Sequence, residues 1–404
     1  MDDDVIGTGP ERARRPRGPA RRLGLPAAVR RHGRVVAVVC ALAAAAGVVA
    51  ISRAGVDGLQ AAGPPPPPPL TGEVLTLAAG RNAMYAVATD CAHGCRPTLL
   101  GSDSDGYRWT DLPLPSRLAG APAARSWTLG VSGVEDLLAI EDPAAGTVTV
   151  GNLNTEFRTR KIEPGPPLPR VPADRETMTR ICPPPRCRTP ILEFLEPRTG
   201  VRSPLETQPP FPPLALGVGG TQLWATGIDP RTRHYAVALS RDDGATWSTV
   251  PLPGVSTDPA LVPRLAPVPE LDRTWFLQGY PDGEDEQTSY DIWLVPAPVA
   301  PPAVSEPLRQ VIPDPDINGA SRVVGLRDGR LAIDGRTVLA PDGSQKRTTV
   351  PDVESARYLR RWPIRGPHQL LVAAVVRTDG VASIAVSRSG DPEDWAVRPV
   401  VLAR

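Results

Sequence analysis

The chain has 404 residues, enough for one large or two ordinary domains, and carries 51 Pro and only 5 Cys. Its net charge of +1 hides an uneven balance: residues 1–34 hold nine Arg against four acidic residues, whereas residues 53–404 are mildly acidic. A nucleic-acid-binding face needs clustered Lys and Arg, and residues 53–404 offer no such cluster, so nucleic acid is excluded as a partner.

Taken in chain order, residues 1–34 read as a basic tail without a packed core. Residues 35–52, "VVAVVCALAAAAGVVAIS", contain no charge and have about the length a helix needs to cross a bilayer. Arg30, Arg31 and Arg34 precede the run and only Arg53 follows nearby, so the positive-inside rule puts residues 1–34 in the cytoplasm and the rest outside. The reading is an uncleaved single-pass anchor in the plasma membrane. The alternative is a cleaved signal peptide, with Ser52-Arg53-Ala54 as its small-x-small site. Cys40 sits inside the run as an apolar filler. Residues 53–72 then form a linker with six consecutive prolines, "GPPPPPPL", which favour a polyproline II stalk.

Residues 73–404 show no long amphipathic helix pattern. Short β-like runs alternate with Gly, Pro, Asp and Asn clusters: "MYAVATD" (84–90), "LLAIED" (137–142), "TVTVGNL" (147–153), "LWATGID" (223–229), "HYAVALS" (234–240), "DIWLVPA" (291–297), "LLVAAVV" (370–376). Residues 73–115 and 214–253 align throughout, and 369–400 repeats the scheme more loosely. The same four-strand rhythm runs through 125–165, 174–208, 262–310 and 320–350. A repeat of about 40–50 residues with four strands is the mark of a β-propeller. The predicted fold is therefore all-β, a monomeric propeller of about seven four-stranded blades. Six or eight blades stay open because 166–176 and 296–316 are Pro-rich. A pair of β-sandwich domains is the alternative architecture.

Four cysteines lie outside the apolar run, as Cys91 with Cys95 and Cys182 with Cys187. Both pairs are expected at the turn between the middle strands of a blade. Opposed residues of a hairpin lie within disulfide reach, and an extracytoplasmic location permits oxidation. Two hairpin disulfides are predicted. A four-Cys metal site would need the two hairpins to touch across a whole intervening blade.

The stretch "SRDDGATW" carries Ser240, Asp242, Gly244, Thr246 and Trp247, and matches Ser-x-Asp-x-Gly-x-Thr-Trp at every defined position. "SDSDGYRW" keeps Ser102, Gly106 and Trp109, with Asp105 placed to stand in for the missing Asp. "SRSGDPEDW" keeps Ser387 and Trp395 with one extra residue. These turns resemble the Asp-box, or BNR, repeat of the sialidase-like and sortilin-like propellers. The resemblance implies a structural turn between the last two strands of a blade, with polar side chains bonding the backbone and Trp packing against the sheet.

Some Asp-box propellers are sialidases, with an Arg triad, a Tyr–Glu nucleophile pair, an Asp acid and an Arg-Ile-Pro motif before the first box. Here the nearest match, Arg170-Val171-Pro172, follows the first box. "SYDIW" (289–293) and "RYLRRW" (357–362) place Tyr near acids or Arg, but they read as strand and surface residues. His93, His234 and His368 are isolated, and "DGEDEQ" (282–287) lacks the ligand order of a calcium loop. No catalytic residue, cofactor or metal ligand is assigned. The expected function is a membrane-tethered module that binds or scaffolds an envelope protein or glycan. A sialidase-like exo-glycosidase is the alternative.

Overall fold

The computed structural model describes most of residues 68–404. Residues 1–67, 115–127, 280–289, 299–308, 312–322 and 363–369, with several shorter stretches, lie outside the described residues. The expected membrane span at 35–52 falls in that part. Among the described residues no helix is long and apolar enough to cross a membrane.

The short apolar runs become strands because β-branched and aromatic residues alternate with small or polar ones, and Gly, Asp or Pro stop each run. Among the described residues they form seven four-stranded sheets. The first holds β1 (Val74–Ala79), β2 (Met84–Asp90), β3 (Arg96–Ser102) and β4 (Thr110–Leu112). The second holds β5 (Thr128–Val131), β6 (Leu138–Asp142), β7 (Thr147–Asn152) and β8 (Thr155–Lys161). The third combines β9 (Glu163–Pro164), β10 (Thr179–Cys182), β11 (Ile191–Glu196) and β12 (Val201–Pro204). The fourth is β13 (Ala215–Gly219), β14 (Gln222–Ile228), β15 (Tyr235–Ser240) and β16 (Ser248–Leu252). The fifth is β17 (Val262–Val268), β18 (Arg273–Gly279), β19 (Tyr290–Pro296) and β20 (Arg309–Val311). The sixth is β21 (Val323–Gly325), β22 (Leu331–Ile333), β23 (Thr337–Leu339) and β24 (Gln345–Arg347). The seventh is β25 (Val353–Trp362), β26 (Leu370–Arg377), β27 (Ala382–Ser387) and β28 (Ala396–Pro399).

Six of the sheets are plain antiparallel meanders. The third departs from the expected pattern. Its order is β10-β11-β12-β9, with β9 parallel to β12. The segment 174–208 therefore supplies three strands, not four, and the outermost comes from the chain that leaves the second sheet. Two facts explain the exchange. The Glu163 N–H donates to Gly200 O and the Gly165 N–H to Arg202 O. The Leu168 and Leu205 bridge then continues the parallel pairing. The exchange also moves Cys182 and Cys187 to the turn between the first and second strands of the sheet, not the middle pair.

First strands of successive sheets adjoin: β10 touches β13, β13 touches β17, β17 touches β21 and β21 touches β25, while β1 touches both β5 and β25. The second and third sheets share the apolar cluster of Ala139 and Val148 with Leu192, Phe194 and Leu195. The circuit is consistent with a β-propeller. It closes through residues 69–71: Pro69 bridges Val401, Thr71 bridges Val381, and the Leu70 N–H donates to Val400 O. Leu70, Leu77, Trp109, Ile384, Val386 and Val400 form the apolar seam beneath that closure.

Candidate functional site

The three Trp turns each connect the third and fourth strands of a sheet, at β3–β4, β15–β16 and β27–β28. In the turn after β15, the Gly244 N–H donates to Ser240 Oγ at 2.8 Å, and Ser240 Oγ–H donates to Asp242 Oδ1 at 2.8 Å. The Thr246 N–H and hydroxyl donate to the two Asp242 oxygens, both at 2.8 Å. In the turn after β3 the Gly106 N–H likewise donates to Ser102 Oγ, at 3.2 Å. Asp105 lies outside the described residues. In the longer turn after β27, Ser387 Oγ–H instead donates to Asp391 O at 2.6 Å. Gly106 and Gly244 have φ of +80° and +92°, where a side chain is strained. A Cβ would also meet Ile384 at 2.3 Å and Leu205 at 2.8 Å, respectively.

Each Trp packs at a seam with the preceding sheet. Trp109 is fully buried against Ile384 and Val386 of the seventh sheet, and its indole N–H donates to Gly106 O. Trp247 packs on the clusters around Leu205 and Phe211, and donates to Thr207 O. Trp395 packs with Val324, Ala332 and Val338 of the sixth sheet. Among the described residues its buried indole nitrogen has no hydrogen-bond partner. These residues thus serve the joints between sheets rather than a shared centre.

Partial burial pushes the Asp242 carboxyl pKa up, but the Thr246 and Ser240 hydrogen bonds outweigh it and leave the pKa below its ordinary value. A depressed folded-state pKa contributes stability that is present above the unfolded pKa and is lost as pH falls through the folded one. Asp242→Asn should therefore lower the melting temperature at neutral pH and flatten its decline below about pH 4, read by thermal scans across acid pH.

Both cysteine pairs stand at disulfide distance, with S–S separations of 2.15 Å for Cys91–Cys95 and 2.03 Å for Cys182–Cys187. The second bond lies against Glu193, whose carboxylate is within 4.8 Å of both sulfurs. Because these sulfurs are joined to each other, the group offers no thiolates to a metal. The bond closes a short loop, so Cys182→Ala with Cys187→Ala should cost about 2 kcal/mol in denaturant unfolding.

The chemistry that sequence reasoning missed lies on one face of the third sheet. Register places Arg180 opposite Glu193, Cys182 opposite Ile191, and Glu193 opposite Pro204. Period-two alternation therefore turns Arg180, Cys182, Ile191 and Glu193 to the same side. Across a cleft of about 710 Å³ stands Glu141 of β6. Arg202 binds Glu141 at 2.5 Å and reaches Glu193 at 3.3 Å. Arg186, from the disulfide loop, also pairs with Glu193. The side chains of Glu193, Arg202 and Glu141 are only 8%, 13% and 14% exposed. Desolvation lowers the Arg180 pKa, Glu141 opposes that shift, and Arg202 adds to it. The legible signal was a Glu inside the apolar run Leu192-Glu193-Phe194-Leu195; its partners come from strands far apart in sequence.

Among the described residues, the others singled out do not join this site. His234 is exposed in the turn between β14 and β15, while His93, His368 and residues 282–287 lie outside the described residues. Arg170 approaches Asp243, and the Val171 N–H donates to Asp243 O, which ties that segment to the fourth sheet. Tyr290 opens β19, and residues 357–362 run within β25.

No family model matches the sequence, and no curated protein matches it. Solved structures give distant likenesses. One comes from a structural study of two prolyl endopeptidases, at 15% identity and TM-score 0.48, covering 82% of this chain and 49% of that one. Another is a puromycin-hydrolysing peptidase of Mycobacterium tuberculosis, at 15% identity and TM-score 0.45, covering 82% and 55%. A third is YCF48 bound to a D1 peptide, at 12% identity and TM-score 0.31, covering 82% of each chain. The chain spans about half the length of the two peptidases. The fold stands on the strand pairing of this chain itself.

Proposed function

We propose that residues 73–404 form a seven-bladed Asp-box propeller that works as a binding or scaffolding module on the outer face of the plasma membrane. Residues 35–52 serve as its anchor, residues 1–34 as a cytoplasmic tail and residues 53–72 as a stalk. The seven sheets, their circuit of first strands and the recurring Ser–Gly turns support the fold assignment. The partner is an envelope protein or glycan.

One observation carries the choice of binding over catalysis. The buried carboxylates of the cleft, Glu141 and Glu193, are both engaged by guanidinium groups. Such pairs offer fixed charges and shape to a ligand. A general acid, by contrast, must hold and release a proton near the working pH. Crosslinking and pull-down with the full chain from cell envelopes tests this reading. Capture of a defined protein or glycan supports it. Hydrolysis of a sialoside reporter with nothing captured overturns it.

A further inference from the structure

The corner of the cleft at the Cys182–Cys187 bond brings together three side chains of metal-binding type. Cys182 ends β10, Cys187 closes the loop after it, and Glu193 stands on β11. The register pairs Arg180 with Glu193 and Cys182 with Ile191, so Cys182 and Glu193 are diagonal neighbours on one face of the sheet. The two sulfurs and a Glu193 carboxylate oxygen all lie within 4.8 Å of one another. A tetrahedral zinc with bonds of about 2.0–2.3 Å holds its ligand atoms roughly 3.5–3.8 Å apart, so small side-chain shifts suffice. Among the described residues no other three such ligands converge in this way, and the Cys91–Cys95 pair gains no third ligand.

The surroundings suit zinc. Four residues separate the cysteines, within the roughly two to four usual at zinc sites. Three of the four are prolines, Pro183, Pro184 and Pro185, and their fixed φ limits how far the sulfurs can part once the bond opens. Arg186 and Arg202 both bind the same Glu193 oxygen, Oε1. Among the described residues Oε2 is thereby left for a metal, while the guanidiniums hold the carboxylate in place. Zinc brings two positive charges and displaces one proton from each thiol. The net charge of the cluster is therefore unchanged on binding, and the existing ion pairs need not break. Two thiolates exclude the hard cations Mg²⁺ and Ca²⁺, and a carboxylate beside them suits Zn²⁺ better than the softer Cu⁺. Both cysteines line the cleft of about 710 Å³, which provides an entry path and room for a water at the fourth position.

We propose that Cys182, Cys187 and Glu193 form a redox-gated zinc site. With the disulfide closed, no thiolate is offered; a dithiol reductant opens the bond, and one Zn²⁺ then binds. In the opening step a thiolate of the reductant attacks the Cys187 sulfur, and Cys182 leaves as a thiolate. Cys187 is the half-buried member of the pair and Cys182 the buried one. The second thiol of the reductant then displaces Cys187, and a disulfide closes within the reductant. Two electrons thus pass to the cysteines, and the reductant is oxidised. Zinc takes the place of the two thiol protons, which go to solvent. The assignment is independent of the partner that the module binds.

Alkylation of the detergent-solubilised full chain tests it. The chain is reduced with dithiothreitol, desalted without oxygen, given one equivalent of Zn²⁺ and treated with iodoacetamide, and each cysteine is followed by peptide mass. Zinc should slow the labelling of Cys182 and Cys187 about tenfold or more and leave that of Cys91 and Cys95 unchanged. Equilibrium dialysis should find one zinc per reduced chain and none per oxidised chain. Cys91→Ser with Cys95→Ser should keep that zinc. Glu193→Gln should weaken its binding about tenfold or more, since even an outer partner of a metal site contributes that much. The labelling pattern uses the unaltered chain, so it decides the matter even where the Glu193 variant fails to fold. Equal protection of the two pairs, no protection of Cys182 and Cys187, or equal zinc on the oxidised chain overturns the proposal. Undiminished affinity in Glu193→Gln, loss of the zinc in the Cys91 and Cys95 double variant, or unfolding of the reduced chain in a thermal scan overturns it too.

Discussion

Trp109→Ala should destabilise the folded domain by about 3–5 kcal/mol, the usual range for removing a fully buried large aromatic side chain. Trp109 fills the seam between the first and seventh sheets, and the Gly106 carbonyl accepts its indole N–H at 3.1 Å. Its own backbone N–H donates to Val401 O at 3.0 Å, so the residue stands where the circuit closes. Small aliphatic neighbours such as Ala382 and Ala86 cannot expand to refill the space. Trp247→Ala should cost less, because Trp247 is only partly buried. Paired chemical-denaturation curves check both values. A loss at Trp109 no larger than that at Trp247 would show that the closing seam is not a critical joint.

Glu193→Leu should cost about 3–5 kcal/mol, because removing one partner leaves the other charge buried. Arg202 would retain Glu141 alone, and Arg186 would lose its partner in the cleft. The double variant Glu193→Leu with Arg202→Met should recover a substantial part of that loss, since it removes a charge on both sides. A double-mutant cycle measures the coupling, with a non-additivity of about 0.5–3 kcal/mol expected for residues in one network. Strict additivity would mean that the two side chains do not act as a pair. Added salt should leave the coupling largely intact, because buried pairs are poorly screened.

The strands were readable in the sequence because two-residue periodicity and turn residues are local signals. "LWATGID" and "HYAVALS" become β14 and β15 almost to the residue. The turn chemistry was readable for the same reason: Ser240, Asp242, Gly244 and Thr246 interact within seven residues of chain. β9 was not readable. Two residues, Glu163 and Pro164, have no periodicity, and only their tertiary pairing with Val201 and Arg202 makes them a strand. The cleft was hidden for a related reason. Glu141, Arg180 and Arg202 each look like the outward position of a half-exposed strand. Sheets stacked on both faces leave no outward position, so packing of the second sheet against the third decides their fate. A charged residue inside an apolar run, such as Glu193, was the one local hint.

The pairing of Pro69 with Val401 also bears on the order of events during synthesis. Residues 69–71 leave the ribosome more than three hundred residues before their partners at 381–402. Until then, the flank of the first sheet that carries Leu77 and Trp109 has no neighbour, and its apolar groups face solvent or a chaperone. At about 5–20 residues per second, that interval lasts on the order of tens of seconds. The polypeptide must keep its earliest strands waiting, and a ribosome stalled within β26 would expose an adhesive edge that the finished ring conceals.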